Sequence, residues 1–336
     1  MIRPARPLAL ATGALVLVCL LSLALGARAL PLDQVVGALA GTVTDRDTLD
    51  VIWSVRVPRT LIGVLAGAAL GLSGALMQAL TRNPLADPGV LGVSAGAAFA
   101  VVLSIGLFGI TALTGFVWFA FAGALVAGVV VYGLAGLGRD GMTPVKLALA
   151  GVAVTFLLSS VPSAFVLVDP ESLSRYRFWS AGSLSGTGTD LLPQLLPFVL
   201  AGTALALTCG PALNSLALGD DVARGLGRSV GLIRLRAAAA VMLLTGAAVA
   251  AIGPVVFVGL VVPHLARLVA RYGRAETDHR LLLPLAVLIG PCLLLAADVV
   301  GRIVAPPTEV QAGLLVALIG GPFFVVLARR RRLAEI

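Results

Sequence analysis

Acidic and basic residues cluster in LALGDDVARGLGRSVGLIRLR, Leu216 to Arg236, with a spacing suited to ion pairing and partner recognition rather than to bond-making. Asp220 and Arg224 stand four apart, and Asp221 lies where acidic charge favours the positive end of a helix dipole. Asp220 is the expected N-cap. Val222, Leu226 and Val230 recur at i, i+4 and i+8 as an apolar stripe, and Gly225 and Gly227 cut the helix short. The expected product is two small amphipathic helices lying across a membrane face, over about residues 216–234. Local physics leaves two uses open: docking of a soluble partner, or a solvated loop touching lipid headgroups.

Other residues with chemical potential point away from catalysis. Gly92-Val93-Ser94-Ala95-Gly96 matches GxSxG, but that motif needs a strand-turn-helix elbow, and this copy lies in an apolar helical run. His264 and His279 have no metal-ligand spacing between them, and Cys19, Cys209 and Cys292 lie far apart in apolar runs, so neither a metal site nor a disulfide framework is expected. The single lysine, Lys146, follows Val145, so no P-loop Gly-Lys pair exists and no nucleotide site is expected on this chain. Arg56 and Arg59 stand three apart in RVPR, and Arg302 lies beyond a later apolar run. Read as exposed, these arginines suit either an acidic partner or lipid phosphate.

The elements that position these residues are membrane spans. Of 336 residues 59% are hydrophobic and 12% charged, far below the roughly 25% charged of soluble domains. Mean hydropathy is +1.05. Runs of about 20 apolar residues mark ten spans: Leu8 to Leu25, Thr60 to Ala79, Gly89 to Phe108, Phe116 to Leu137, Val145 to Val168, Leu191 to Cys209, Leu235 to Gly253, Val255 to Ala270, Leu281 to Val300 and Ala312 to Ala328. Only Gly253-Pro254 separates the seventh from the eighth. The first run is too long for a secretory signal core and reads as an uncleaved span.

With both termini cytoplasmic, ten crossings place 17 of the 24 Lys and Arg inside. Arg28, Arg46, Arg56, Arg59, Arg175, Arg177 and Arg302 remain outside. That bias explains the net charge of +8 without nucleic acid and turns the Leu216 to Arg236 stretch to the cytoplasm. No Asp or Glu stands in the middle of a span, which argues against an ion-coupled carrier, so the energy for transport is expected from elsewhere.

Gly63, Gly67 and Gly71 form GxxxGxxxG, a close-packing face for another helix. AGAALGLSG at Ala66 to Gly74 and TGAAVAAIG at Thr245 to Gly253 share small residues in spans of opposite direction, the trace a weak inverted repeat would leave.

From Val51 to Arg332 the sequence resembles the FecCD-type permeases of ABC importers for ferric siderophores, haem and vitamin B12. The resemblance rests on RVPRTLIGVLAGAALGLSGALMQALTRNPLADPGVLGVSAGAA, LGDDVARGLG, GPVVFVGLVVPHLARLV, DHRLLLP and LIGGPFF. It implies an all-α, ten-helix type II ABC importer permease in the bacterial plasma membrane, paired with a second copy or a sister permease. A cytoplasmic ATPase dimer, which carries the ATP and Mg, would contact Leu218, Gly219, Asp220, Asp221, Val222, Ala223, Arg224 and Gly227. An external substrate-binding protein would dock on Arg56, Arg59 and Arg302. Asn83, Leu85, Met142 and Thr143 fall where such permeases narrow towards the cytoplasm.

Overall fold

The computed structural model describes residues 5–26, 30–110, 112–137, 143–168, 176–177, 179–273, 275–306 and 308–329. Met142 lies outside them, as do Arg3, Arg28, Arg139, Arg175, Arg274, Arg330, Arg331 and Arg332 of the charge count. The described residues form helices and connecting turns without a strand. In chain order the helices are α1 (Ala5–Ala24), α2 (Leu32–Leu39), α3 (Arg46–Asp50), α4 (Val57–Thr81), α5 (Val93–Phe108), α6 (Leu113–Gly136), α7 (Pro144–Val168), α8 (Leu192–Thr208), α9 (Gly210–Ala217), α10 (Asp220–Gly225), α11 (Val230–Ile252), α12 (Val258–Ala270), α13 (His279–Val304) and α14 (Ala312–Arg329). Seven helical stretches are long and apolar enough to cross a membrane, and α5 and α14 are shorter apolar helices.

α4 and α11 form the centre, with 83% and 78% of their most apolar stretches buried. Small residues permit this. A Cβ on Gly67 would lie 2.6 Å from the Cα of Pro291, one on Gly71 2.7 Å from the Ala286 carbonyl oxygen, and one on Gly63 2.4 Å from a Leu295 methyl. The glycine face of α4 therefore lies against α13. Gly74 continues it onto α12, where an added Cβ would stand 2.0 Å from the Gly259 carbonyl oxygen. The outer helices keep large side chains turned outward: Phe156 and Leu157 of α7 are among the most exposed, as lipid contact requires.

Three elements differ from their expected form. The second span begins earlier than Thr60, because α3 runs through a π-helical turn, Val51–Arg56, into α4 as one continuous helix over Arg46–Thr81. Pro58 has no N–H to give the Ser54 carbonyl, and the widened turn absorbs that mismatch. The third span gives up its first residues to a 3₁₀ turn, Pro88–Leu91. The break at Gly253 is present: its φ of +77° is open to glycine, and a Cβ there would lie 1.8 Å from the Trp179 carbonyl oxygen. α12 has only 13 residues, about 20 Å of helix, less than the roughly 30 Å hydrocarbon layer.

Candidate functional site

At one end of the bundle, Asp220 ties three elements together. It accepts Arg82, one residue past α4, and the Arg234 Nη2 of α11 at 2.9 Å, with Arg224 at 3.9 Å. Both cationic partners on the long helices reach one carboxylate, so α4 ends where α11 begins and the two run antiparallel. Asp220 is not the N-cap. Gly219 is, and the Asp220 carboxylate is drawn instead to the arginines around it.

Only one of the two short helices expected within residues 216–234 forms there. α10 ends at Gly225, with Gly227 at φ +74° and the Arg228 N–H returning to the Ala223 carbonyl, a Schellman closure. From Val230 the chain is already α11, because Val230 and Ile233 bury themselves against the bundle. The apolar stripe is shifted accordingly. Leu218, Val222 and Leu226 are 66%, 47% and 60% exposed, whereas Val230 turns inward and Ala223 anchors α10 from below. Asp221 is fully outward and holds Arg224 at 2.7 Å. α10 thus presents an apolar edge and an ion pair outward on a braced base.

The loop after α4 lies at this same end. Asn83 Oδ1 accepts the Leu85 N–H at 2.9 Å, and Asp87 Oδ1 accepts the Gly89 N–H at 2.8 Å. These side-chain turns fix the loop's path into α5. Thr143 Oγ1 receives the Lys146 N–H at 3.3 Å and lines a small cavity with Thr81, Tyr132 and Arg234. Ser94 stands in the first turn of α5, while His264 bonds the Leu260 carbonyl and His279 the Asn214 amide oxygen.

The opposite end corrects the expectation of exposed arginines. Arg56, Arg59 and Arg302 are 4%, 6% and 3% exposed. Asp298, 1% exposed, holds Arg59 and Arg302. Arg59 donates Nη2 to its Oδ1 at 2.7 Å, and Arg302 donates Nε to its Oδ2 at 2.9 Å. Further donors of Arg56 and Arg302 satisfy carbonyls at and just past the C-terminus of α1. Arg302 Nη1 meets Ser22 O and Leu25 O, and Arg56 Nη1 meets Leu23 O and Ala24 O. Ser22 and Thr60 hydroxyls close the network at 2.8 Å.

Arg59 also reaches a cavity. Its Nη1 donates to Glu309 Oε2 at 2.8 Å, and both residues line a space of about 770 Å³ with Trp179, Ser183, Ile252 and Gln311. Asp298 and Glu309 carry as much of this site as the arginines, and spacing alone gave them no role. A signal was present in Asp298, four residues before Arg302 in an apolar helix, where a carboxylate needs a buried partner.

Helices packed through glycine faces, large side chains turned outward, a cavity at one end and a braced surface helix at the other define a polytopic α-helical membrane protein. The FecCD transport family model matches residues 14–330. The chain is 44% identical to the ferric enterobactin transport system permease protein of Escherichia coli K12, over 94% of this chain and 93% of that one. It is 41% identical to a probable siderophore transport system permease protein of Bacillus subtilis 168, over 83% of each chain. Among solved structures it superposes on a protein described as of the metal-chelate ABC transporter type, in an inward-facing conformation, with a TM-score of 0.82 and 29% identity over 96% and 98% of the two chains. The chain belongs to the FecCD transport family.

Proposed function

We propose that this chain is the membrane-spanning permease subunit of an ATP-driven importer that moves an iron-siderophore-type chelate from an external binding protein into the cytoplasm. The observation that carries the reading is α10, whose exposed Leu218, Val222 and Leu226 sit on a base that Asp220 fastens to α4 and α11. A soluble ATPase dimer, holding ATP and Mg itself, docks there. Closure of that dimer shifts α10, and the ion pairs pass the shift to the two central helices. The names of the relatives support the chelate as substrate, and the charge bias supports a bacterial inner-membrane setting with both termini and the Asp220 end cytoplasmic.

The Asp298 end then faces the external binding protein. Arg59, with Glu309 over it, is the docking group, and Arg56 and Arg302 hold the helix ends that carry it. Asn83, Leu85 and Thr143 narrow the path on the cytoplasmic side, and a second copy or a sister permease completes it. The decisive experiment is tagged purification and uptake with Asp221→Ala combined with Arg224→Ala. The expected result is a folded permease that no longer retains the ATPase or accumulates chelate; a variant that keeps both overturns the reading.

A further inference from the structure

A second cavity, of about 520 Å³, opens at the Asp220 end, and Arg82, Arg267, Arg271, Glu276 and His279 line it. Its charge is unbalanced. Arg82 is engaged by Asp220, and Arg271 Nε by Glu276 at 2.8 Å. Arg267 donates Nη2 to Gln78 Oε1 at 2.9 Å, a neutral acceptor, and meets no carboxylate among the described residues. Gln78 is oriented for this, since its Nε2 donates to the Leu260 carbonyl at 3.3 Å, which turns the amide oxygen towards the arginine. A partly buried guanidinium without a counter-charge is costly, and its planar fork matches a carboxylate. The cavity adjoins the α10 base: Ala217, the last residue of α9, lines it, and Arg82 bridges it to Asp220.

We infer that this cavity receives an acidic side chain of the cytoplasmic ATPase, with Arg267 as its counter-charge, so that the ATPase grips the permease at two points, α10 and the Arg267 cavity. The inference rests on the functional reading above. It commits to a protein carboxylate because the unpaired Arg267 is partly buried in a cavity continuous with the α10 surface, whereas the exposed α10 edge itself is apolar.

The test measures affinity of the cognate ATPase for the permease in nanodiscs of neutral phosphatidylcholine, across a salt series, and again with anionic phosphatidylglycerol added. Arg267→Gln is expected to weaken binding by about tenfold or more and to flatten its salt dependence. Arg267→Lys keeps the charge and should recover most of the loss. Equal binding by wild type and Arg267→Gln overturns the inference and leaves the importer reading intact. So does a loss confined to discs with anionic lipid, which makes the cavity a headgroup site. Failure of the wild type itself to bind the ATPase overturns the importer reading.

Discussion

Asp298 and Arg59, 239 positions apart, meet in the interior: Arg59 Nη2 lies 2.7 Å from Oδ1, and its Nε lies within 3.2 Å of both carboxylate oxygens. Arg302 shares the same carboxylate from one helical turn away. Removing the acid therefore leaves Arg302 without its carboxylate and Arg59 with Glu309 alone. Asp298→Asn is expected to cost about 3–5 kcal/mol, as breaking a buried pair does. Thermal unfolding in detergent, followed by loss of the monodisperse peak, checks it.

Glu309 competes for the group that a docking carboxylate needs. It is 30% exposed and holds Arg59 at 2.8 Å from the cavity side. Glu309→Gln should tighten binding of the external binding protein by about two- to tenfold at low salt, with the gain shrinking as salt rises. Affinity measured against ionic strength reads both effects, and weaker binding would contradict the arrangement.

The glycines of α4 differ sharply from one on α6. Gly67→Ala should destabilise by about 1–3 kcal/mol, because the new methyl meets the Pro291 backbone at 2.6 Å. Gly133→Ala meets nothing within 4 Å and, in a helix, should be neutral or stabilising by up to about 1 kcal/mol. Melting both variants side by side separates packing from helix propensity.

What was legible in the sequence follows from how local each feature is. The close-packing face of Gly63, Gly67 and Gly71 needs only a helical repeat, and the break between the seventh and eighth spans needs only Gly253-Pro254. Asp220 and Arg224 were four apart on paper and lie 3.9 Å apart in space. The buried arginines were not legible as such, because a charge in sequence reads as exposed until its partner is known. For Arg59 that partner is on another helix, 239 residues on. Val230 likewise looked like the end of a surface stripe, and only the bundle, by burying it, shows that the transmembrane helix has already begun.

The start of α13 carries a pH-sensitive cap. Burial raises the Asp278 pKa, but hydrogen bonds from the Asn214 amide and the Arg280 N–H, with the Arg280 charge, outweigh it and hold the carboxyl below its usual range. A depressed folded-state pKa stabilises above the unfolded value of about 3.9 and is lost as pH falls through the folded value. Asp278→Ala should thus lower stability by about 1 kcal/mol at neutral pH and converge with wild type as the solution is acidified below about pH 4. Melting temperature against pH gives the curve directly.

The arginine cap on α1 also sets a schedule for biogenesis. Arg56, which caps Leu23 and Ala24, follows them by only 33 and 32 residues, so the first half of the cap forms soon after α1 leaves the ribosome. Arg302 arrives 280 residues after Ser22. At about 5–20 residues per second, the last carbonyls of α1 wait roughly a quarter of a minute to a minute for it. Over that interval α1 is held by the Arg56 half of the cap, and a helix made late completes the cap of one made early.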